Sequence, residues 1–317
     1  MTVRQLTKPE VEGEDVSRLF AEATHTLFHL PSFNRIVSEV FDTEYAVLGA
    51  FDKTGLLGIC STHGVKAGAL RRLFHAGPRL YEVPYGGWVV RARKLEPELR
   101  NHIPLGICDA FEYWSMPGAE EGVLGGQRFS TAVLELTPAI EAIWQKSIDG
   151  KRRNMIRKAE KQGVTVVEGG EELVDAFHQK MVTPTNRLAG ITVHPKAYYQ
   201  RVLREFAPHN EARLFLAIQG ERPLAGILVV RTKHYAHYWI GAKGEDVGNL
   251  GQGELLQWKA IEWEKRSKSC QYDLCGYEPE RLPHIAAFKR DFSSSIVPFY
   301  HHYRRTMAYR ISGRLGL

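Results

Sequence analysis

Two short stretches in the second half of this 317-residue chain combine residue types and spacings that suit chemistry. The first is Gly248-Asn249-Leu250-Gly251-Gln252-Gly253, which opens onto the amphipathic run ELLQWKAIEWEKRSK. A glycine-rich turn lets backbone N–H groups approach an anion, and the N-terminus of the helix that follows adds a favourable dipole. Gly251, Gln252 and Gly253 are therefore the candidate cofactor-binding residues. The second stretch is Ala287-Phe288-Lys289-Arg290-Asp291-Phe292. Phe288 and Phe292, four apart on a short helix, face the core and hold Lys289 at its edge as a fixed cation. Upstream, Gln271-Tyr272-Asp273-Leu274-Cys275-Gly276 places Asp273 inside an apolar strand. An unpaired carboxylate is costly there, so a hydrogen-bonded role comes first and general base second.

Further candidates are more dispersed. Arg187, in Thr185-Asn186-Arg187-Leu188, closes a long helical stretch and suits a bidentate contact with phosphate or carboxylate. Tyr235 and Tyr238 lie on opposite faces of one strand, so only one of them can face a cleft. Arg153, Arg157 and Lys161 recur every four residues on a basic helix and form a ridge that a solvated face explains as well as a polyanion does. His237, His284 and the pair His301-His302 are scattered. No Ser/His/Asp or Cys/His pattern points to a covalent intermediate, so direct transfer is the simpler chemistry. Cys60, Cys108, Cys270 and Cys275 match no zinc or redox spacing and read as reduced, buried thiols.

The elements that must position these residues follow a definite order. Helical periodicity runs from Pro31 to Phe41, followed by strands EYAVLGAFD and GLLGICSTH joined at Asp52-Lys53-Thr54-Gly55. An irregular stretch broken by Pro84 and Gly86-Gly87 leads to strands DAFEYWSM and FSTAVLELT. From Pro138 come two helices, the second ended by Gly163, then strand VTVVEG and helices EELVDAFHQKMVTPTNRLAG and HPKAYYQRVLREFA. Three strands follow as a meander: ARLFLAIQ, PLAGILVVRT and HYAHYWIGAK. The glycine loop and its helix, strand QYDLCGY, a short helix and the run IVPFYHHYRRTMAYRI complete the chain.

Composition bounds the answer. The length favours two domains, and 44% hydrophobic with 25% charged residues suits a chain with full cores. The net charge of +6 (pI about 9.0) suits an anionic partner such as a nucleotide, a phospholipid-linked intermediate or tRNA. No apolar leader and no long apolar span are seen, so a cytoplasmic protein without an integral membrane segment is expected.

The order of elements in the second half resembles a GNAT-type acetyltransferase, and the first half resembles a degenerate copy. The "YD-x-x-G" strand with "FK-x-x-F", the segment Arg152–Glu160 up to Gly163, and Pro84-Tyr85-Gly86-Gly87 resemble segments of the Fem peptidoglycan-bridge aminoacyltransferases. Together these matches run from about Pro31 to Tyr303. The resemblance implies an α/β fold of two tandem GNAT-like domains, each a mixed sheet flanked by helices. Their expected bounds are 1–137, completed by 304–317, and 138–303. It implies attack by an amine on an activated acyl carbonyl, with Lys289 as the cation near that carbonyl or the donor's phosphate. Asp273 is the reserve base, and Arg187, Tyr238, Tyr85 and Gly86 are substrate-binding residues. In acetyltransferases the position of Gly251-Gln252-Gly253 holds the CoA pyrophosphate. No tightly bound cofactor and no metal are implied, with aminoacyl-tRNA or acyl-CoA as co-substrate. The expected partners are a small-molecule or lipid-linked amine acceptor, such as a cell-wall precursor, with tRNA as donor carrier and no DNA. An acyl-CoA-dependent N-acetyltransferase and a catalytically silent scaffold of the same fold are the competing readings.

Overall fold

Alternating apolar residues and turn signals organise the first part of the chain. In the computed structural model, which describes residues 1–65, 85–101, 110–118, 126–190 and 192–305, strands Thr2–Gln5 (β1), Thr43–Asp52 (β2), Gly55–Val65 (β3) and Trp88–Val90 (β4) form one sheet in the order β1-β2-β3-β4. All three pairings are antiparallel. The β2–β3 turn is the expected one. Asp52 accepts the Thr54 amide at 2.7 Å, and Gly55 adopts a left-handed φ of 118°. Helix Pro31–Phe41 begins at its proline and ends at Asp42 in the left-handed region. A helix that periodicity did not single out, Glu14–Glu22, buries Val16 and Leu19.

Several buried polar groups in this part pair with one another. The His63 ring is held by Thr43 Oγ1 at 2.8 Å and Asn34 Oδ1 at 2.9 Å, and Asn34 Nδ2 donates to the Phe28 and Leu30 carbonyls. His29 Nδ1 accepts the Thr26 amide at 3.1 Å.

Strand Ala110–Trp114 (β5) pairs antiparallel with the late strand Ser295–Arg305, numbered β12 below, through His301↔Trp114 to Arg305↔Ala110. The first compact unit is thus discontinuous: Met1–Phe129 with Pro298–Leu317. The second is Ser130–Val297. The expected boundary at 137/138 moves to 129/130, and the returning segment starts at Pro298 rather than at 304. The reason lies in strand Gly126–Glu135 (β6), whose Val133–Glu135 pair with the second unit's sheet. Residues 66–84 and 306–317, with Pro84, Cys108 and the end of the chain, lie outside the described residues.

The second unit carries the meander read from sequence. Its strands are β6, Val164–Gly169 (β7), Ala212–Gln219 (β8), Arg222–Arg231 (β9), Tyr235–Lys243 (β10) and Gln271–Asp273 (β11). Their order is β6-β11-β10-β9-β8-β7. Only β10–β11 is parallel, in the register Tyr235↔Gln271 to His237↔Asp273. Helices Gly150–Lys161 and Gln252–Arg266 cover the sheet with Ile156, Ala159, Leu255, Leu256, Ala260 and Ile261 in the core. Helix Lys196–Phe206 buries Tyr198 and Tyr199. The stretch Glu171–Ala189 is helical throughout but opens into a π-turn at His178–Val182. Among the described residues no helix is long and apolar enough to cross a membrane.

Two departures matter for the site. β11 is three residues long, so Cys270 and Cys275 flank it rather than share it; Cys60, Cys270 and Cys275 are free thiols. Past Asp273 the backbone bonds towards β6, Leu274 N to Ala132 O at 2.9 Å and Tyr277 N to Ser130 O at 2.7 Å. β10 meanwhile runs on to Lys243 against β9, with a bulge between Tyr238 and Ile240. The parallel pair therefore separates at this point and leaves a wedge in the sheet.

At the far end of the second unit, Arg231 ties three segments together. Its guanidinium donates to Glu264 Oε2 at 3.1 Å, Asn210 O at 3.0 Å and Ser267 O at 2.8 Å. Ser269 Oγ also donates to Glu264 Oε2. Burial outweighs these partners and pushes the Glu264 carboxyl up to about 7.

Candidate functional site

The wedge opens into two adjoining cavities in the second unit. The inner one, about 250 Å³, is walled mainly by Ala225, Ile227, Tyr238, Leu256, Gln257 and Phe288. The outer one, about 510 Å³, is bordered by Lys151, Arg152, Asn249, Glu254, His284 and Ala287. Lys243, Gln252, Gly253 and Phe288 line both and join them into one trough. Its inner end is apolar and small, and its outer rim is largely cationic.

The glycine loop forms one edge. Gly251 sits at φ 88°, ψ 12° as the residue that starts helix Gln252–Arg266. A Cβ there would collide with the Met155 carbonyl of helix Gly150–Lys161, so glycine is required both by conformation and by contact. Gly253 faces open space, where a Cβ would meet nothing within 4 Å. The loop's own donors are largely spent inside it. Leu250 N donates to Gln252 Oε1 at 2.8 Å, Gly251 N to Asn249 Oδ1 at 3.2 Å, and Gln252 Nε2 to Gly248 O at 2.9 Å. Glu254 occupies the first turn of the helix, where the dipole favours an anion. Arg152 balances it at 2.9 Å, reaches Asp291 at 3.2 Å and lies 5.0 Å over the Phe288 ring.

Tyr238 places its phenol on the inner cavity. The bulge after it turns the ring across Gly241, where a Cβ would overlap the phenolic oxygen. The side chain is partly buried and borders the cavity, and burial pushes its ionisation up to about 12. It is a neutral donor at physiological pH. Thr185 Oγ1 donates to Lys243 O at 3.0 Å and fixes the end of β10 at the rim.

Lys289 stands behind this wall. Its Nζ donates to the Gly276 carbonyl at 2.8 Å and to that of Cys275, both residues having left-handed φ of 55°. Burial is the largest influence on the ammonium and lowers its pKa. Phe292 is fully buried as expected, while Phe288 lines the trough. Asp273 is fully buried, accepting Thr131 Oγ1 at 2.5 Å, the Cys275 amide at 2.7 Å and the Tyr235 hydroxyl at 3.2 Å. With three donors and no exposure, this carboxylate fixes the turn after β11 rather than facing a substrate.

The other expected residues lie elsewhere. Arg187 is exposed on helix Thr183–Ala189 and lines neither cavity, although Thr185 on the same helix does. Tyr85 and Gly86 are buried in the first unit, where Tyr85 meets Phe299 edge-on at 5.1 Å. The basic ridge is partly consumed. Arg153 donates to the Trp144, Gln145 and Ile148 carbonyls, and Arg157 lies 5.6 Å over the Trp144 ring. Lys151, Lys243 and Gln257 were not singled out from sequence. Gln257 alone left a legible trace there, as an amide within the apolar helical stripe Leu256, Ala260, Ile261.

Comparison with known proteins bears on the fold. Residues 150–290 match a family model described as an acetyltransferase (GNAT) domain. The crystal structure of FemX is 11% identical over 100% of both chains with a TM-score of 0.67. The C-terminal domain of a putative lysylphosphatidylglycerol synthetase from Agrobacterium fabrum is 12% identical over 95% of each chain, with a TM-score of 0.58. A tandem GNAT protein from the clavulanic acid biosynthesis pathway is 11% identical, covers 95% of this chain and 98% of its own, and has a TM-score of 0.51. No curated protein sequence matches the chain. The expected α/β class of two tandem GNAT-like domains holds, as does the likeness to Fem-type and GNAT proteins.

Proposed function

We propose that this chain, whose residues 150–290 carry a GNAT-type acyltransferase domain, moves an acyl or aminoacyl group from an activated donor to an amine in the trough of its second unit. The carrying observation is the trough itself: a small apolar end with the neutral Tyr238 phenol, opening to Lys151, Lys243 and His284. An acyl group desolvates cheaply in the inner end, and an oriented phenol there stabilises charge on its carbonyl oxygen. The cationic rim suits a phosphate-bearing carrier.

Aminoacyl-tRNA is the favoured donor. The Leu250 and Gly251 amides are engaged within the glycine loop, and Glu254 supplies the negative charge of the first helical turn. A CoA pyrophosphate would have to displace the one and repel the other. The acceptor is an amine on a cell-wall precursor or a related small or lipid-linked molecule. A lipid-linked acceptor gains support from the lysylphosphatidylglycerol synthetase domain among the structural neighbours. Acyl-CoA is the second reading, favoured by the open face at Gly253 and by the acetyltransferase domain match. Lys289 is proposed to serve the reaction by fixing the Cys275-Gly276 turn beside the trough.

Equilibrium binding of acetyl-CoA against an aminoacylated tRNA 3′-end analogue, followed by single-turnover transfer to an amine, tests the reading. Tighter binding and transfer from the aminoacyl ester are expected. Selective CoA binding with acetyl transfer would exchange the donor, and transfer from neither would refute the activity.

A further inference from the structure

Among the described residues, Glu254 is the one carboxylate that borders the trough. It follows Gly253, which lines both cavities, and so stands close to where the inner end meets the outer. Its side chain is 7% exposed. A carboxylate taken that far out of water needs partners for both oxygens. Arg152 supplies one, donating from Nη1 to Oε1 at 2.9 Å. Among the described residues Oε2 accepts no hydrogen bond.

Arg152 is already committed elsewhere. Its Nε donates to Asp291 Oδ2 at 3.2 Å, and its guanidinium lies 5.0 Å from the centre of the Phe288 ring. One guanidinium is thus shared between two carboxylates that come from different segments of the chain. Arg290 also reaches Asp291, at 3.3 Å, but from an exposed position where such a pair counts for little. Glu254 therefore keeps an excess of negative charge on a wall otherwise bordered by the cations Lys151 and Lys243 and by His284.

We propose that Glu254 Oε2 receives a primary ammonium group of a substrate in the outer cavity, beside the entrance to the apolar inner end. The trough then sorts charge along its length, the lysines of the rim taking phosphate and Glu254 taking ammonium. An acetyl group offers this carboxylate nothing. An aminoacyl group carries its α-ammonium on the atom next to the carbonyl carbon, and an acceptor amine is itself an ammonium ion before it loses its proton. That the ammonium belongs to a donor or an acceptor rests on the acyl-transfer reading; the unmet Oε2 does not.

Isothermal titration of the full chain, at a pH low enough to keep the amines protonated, compares two pairs of probes. The donor pair is 3′-alanylamino-3′-deoxyadenosine and its 3′-propionylamino counterpart, which lacks only the amino group. The acceptor pair is N-acetyl-lysinamide and N-acetyl-norleucinamide. In one pair the ammonium-bearing member is expected to bind about tenfold or more tightly than its neutral partner, and that pair identifies the source. Glu254→Gln keeps the shape and still accepts from Arg152, yet should abolish the preference. Asp291→Asn lies outside the trough wall and leaves the Arg152 charge to Glu254 alone, so it should reduce the preference by a smaller factor. It also carries the test if Glu254→Gln does not fold. A carboxylate that merely links the two helices would change stability in these variants and leave the preference alone. Equal binding within both pairs in the native chain, or a preference that survives both substitutions, overturns the ammonium site. A preference that depends on Glu254, in a chain that transfers from neither donor, upholds the site and removes the acyl-transfer reading.

Discussion

Lys289 was legible as a lysine held at the edge of a core by two aromatics, and its neighbours Phe288 and Phe292 do pack 5.1 Å apart. Its partners were not legible. They are two backbone carbonyls of a turn that places a cysteine and a glycine in left-handed conformations, which residue type alone does not announce for Cys275. The ammonium is thus spent on holding the chain where β10 and β11 part. Lys289→Met keeps the stem and removes the charge, and should destabilise the second unit by about 1.5–3 kcal/mol, the range for hydrogen bonds to a charged group. Amide exchange at residues 275–277 should accelerate with it. Unchanged exchange there would mean that the turn holds its shape without the lysine. Asp273 illustrates the opposite case, since a carboxylate in an apolar strand signalled its buried hydrogen bonds correctly.

Among the elements, the glycine loop and its helix were read at nearly their observed bounds because glycine spacing and amphipathic period agree locally. What the spacing did not reveal is that Gln252 folds back on the loop and that helix Gly150–Lys161 presses against Gly251. Both are contacts made in three dimensions by side chains with many rotamers. Gly251→Ala would force a Cβ onto the Met155 carbonyl at a left-handed φ, and a loss of at least about 1–3 kcal/mol is expected by urea denaturation. Gly253→Ala meets no such obstacle, so it serves as the control, with stability changed by about 1 kcal/mol or less. The short β11 was read too long for a related reason. Leu274, Cys275 and Tyr277 continue the apolar character past Asp273, and it is the hydrogen bonds to β6 there that show pairing with β10 has stopped.

For the whole molecule, buried titratable groups set opposite pH responses in the two units. His29 and His63 of the first unit are driven by burial down to about 3 and about 4. The unfolded chain takes up their protons first, so their contribution is whole above about 6.5 and is lost as pH falls through the folded values. Glu264 of the second unit is raised to about 7, so its contribution is whole below the unfolded value and is lost as pH rises through 7. As pH falls from about 7 to about 4.5, amide protection relative to the intrinsic exchange rate should therefore fall in the first unit and rise in the second. Glu264→Gln should flatten the second response and leave the first intact. The number of units was legible from length and element order. Their boundary was not, because β6 contributes to the sheet of the unit that follows it.

The antiparallel partner of Ala110–Trp114 is His301–Arg305, which follows the entire second unit in the chain. On the ribosome, the earlier unit therefore emerges incomplete and waits, with one strand edge unpaired, until the second unit has been synthesised. Folding in order of synthesis is closed to it, and a chaperone or the nascent second unit has the longest interval in which to act on that edge.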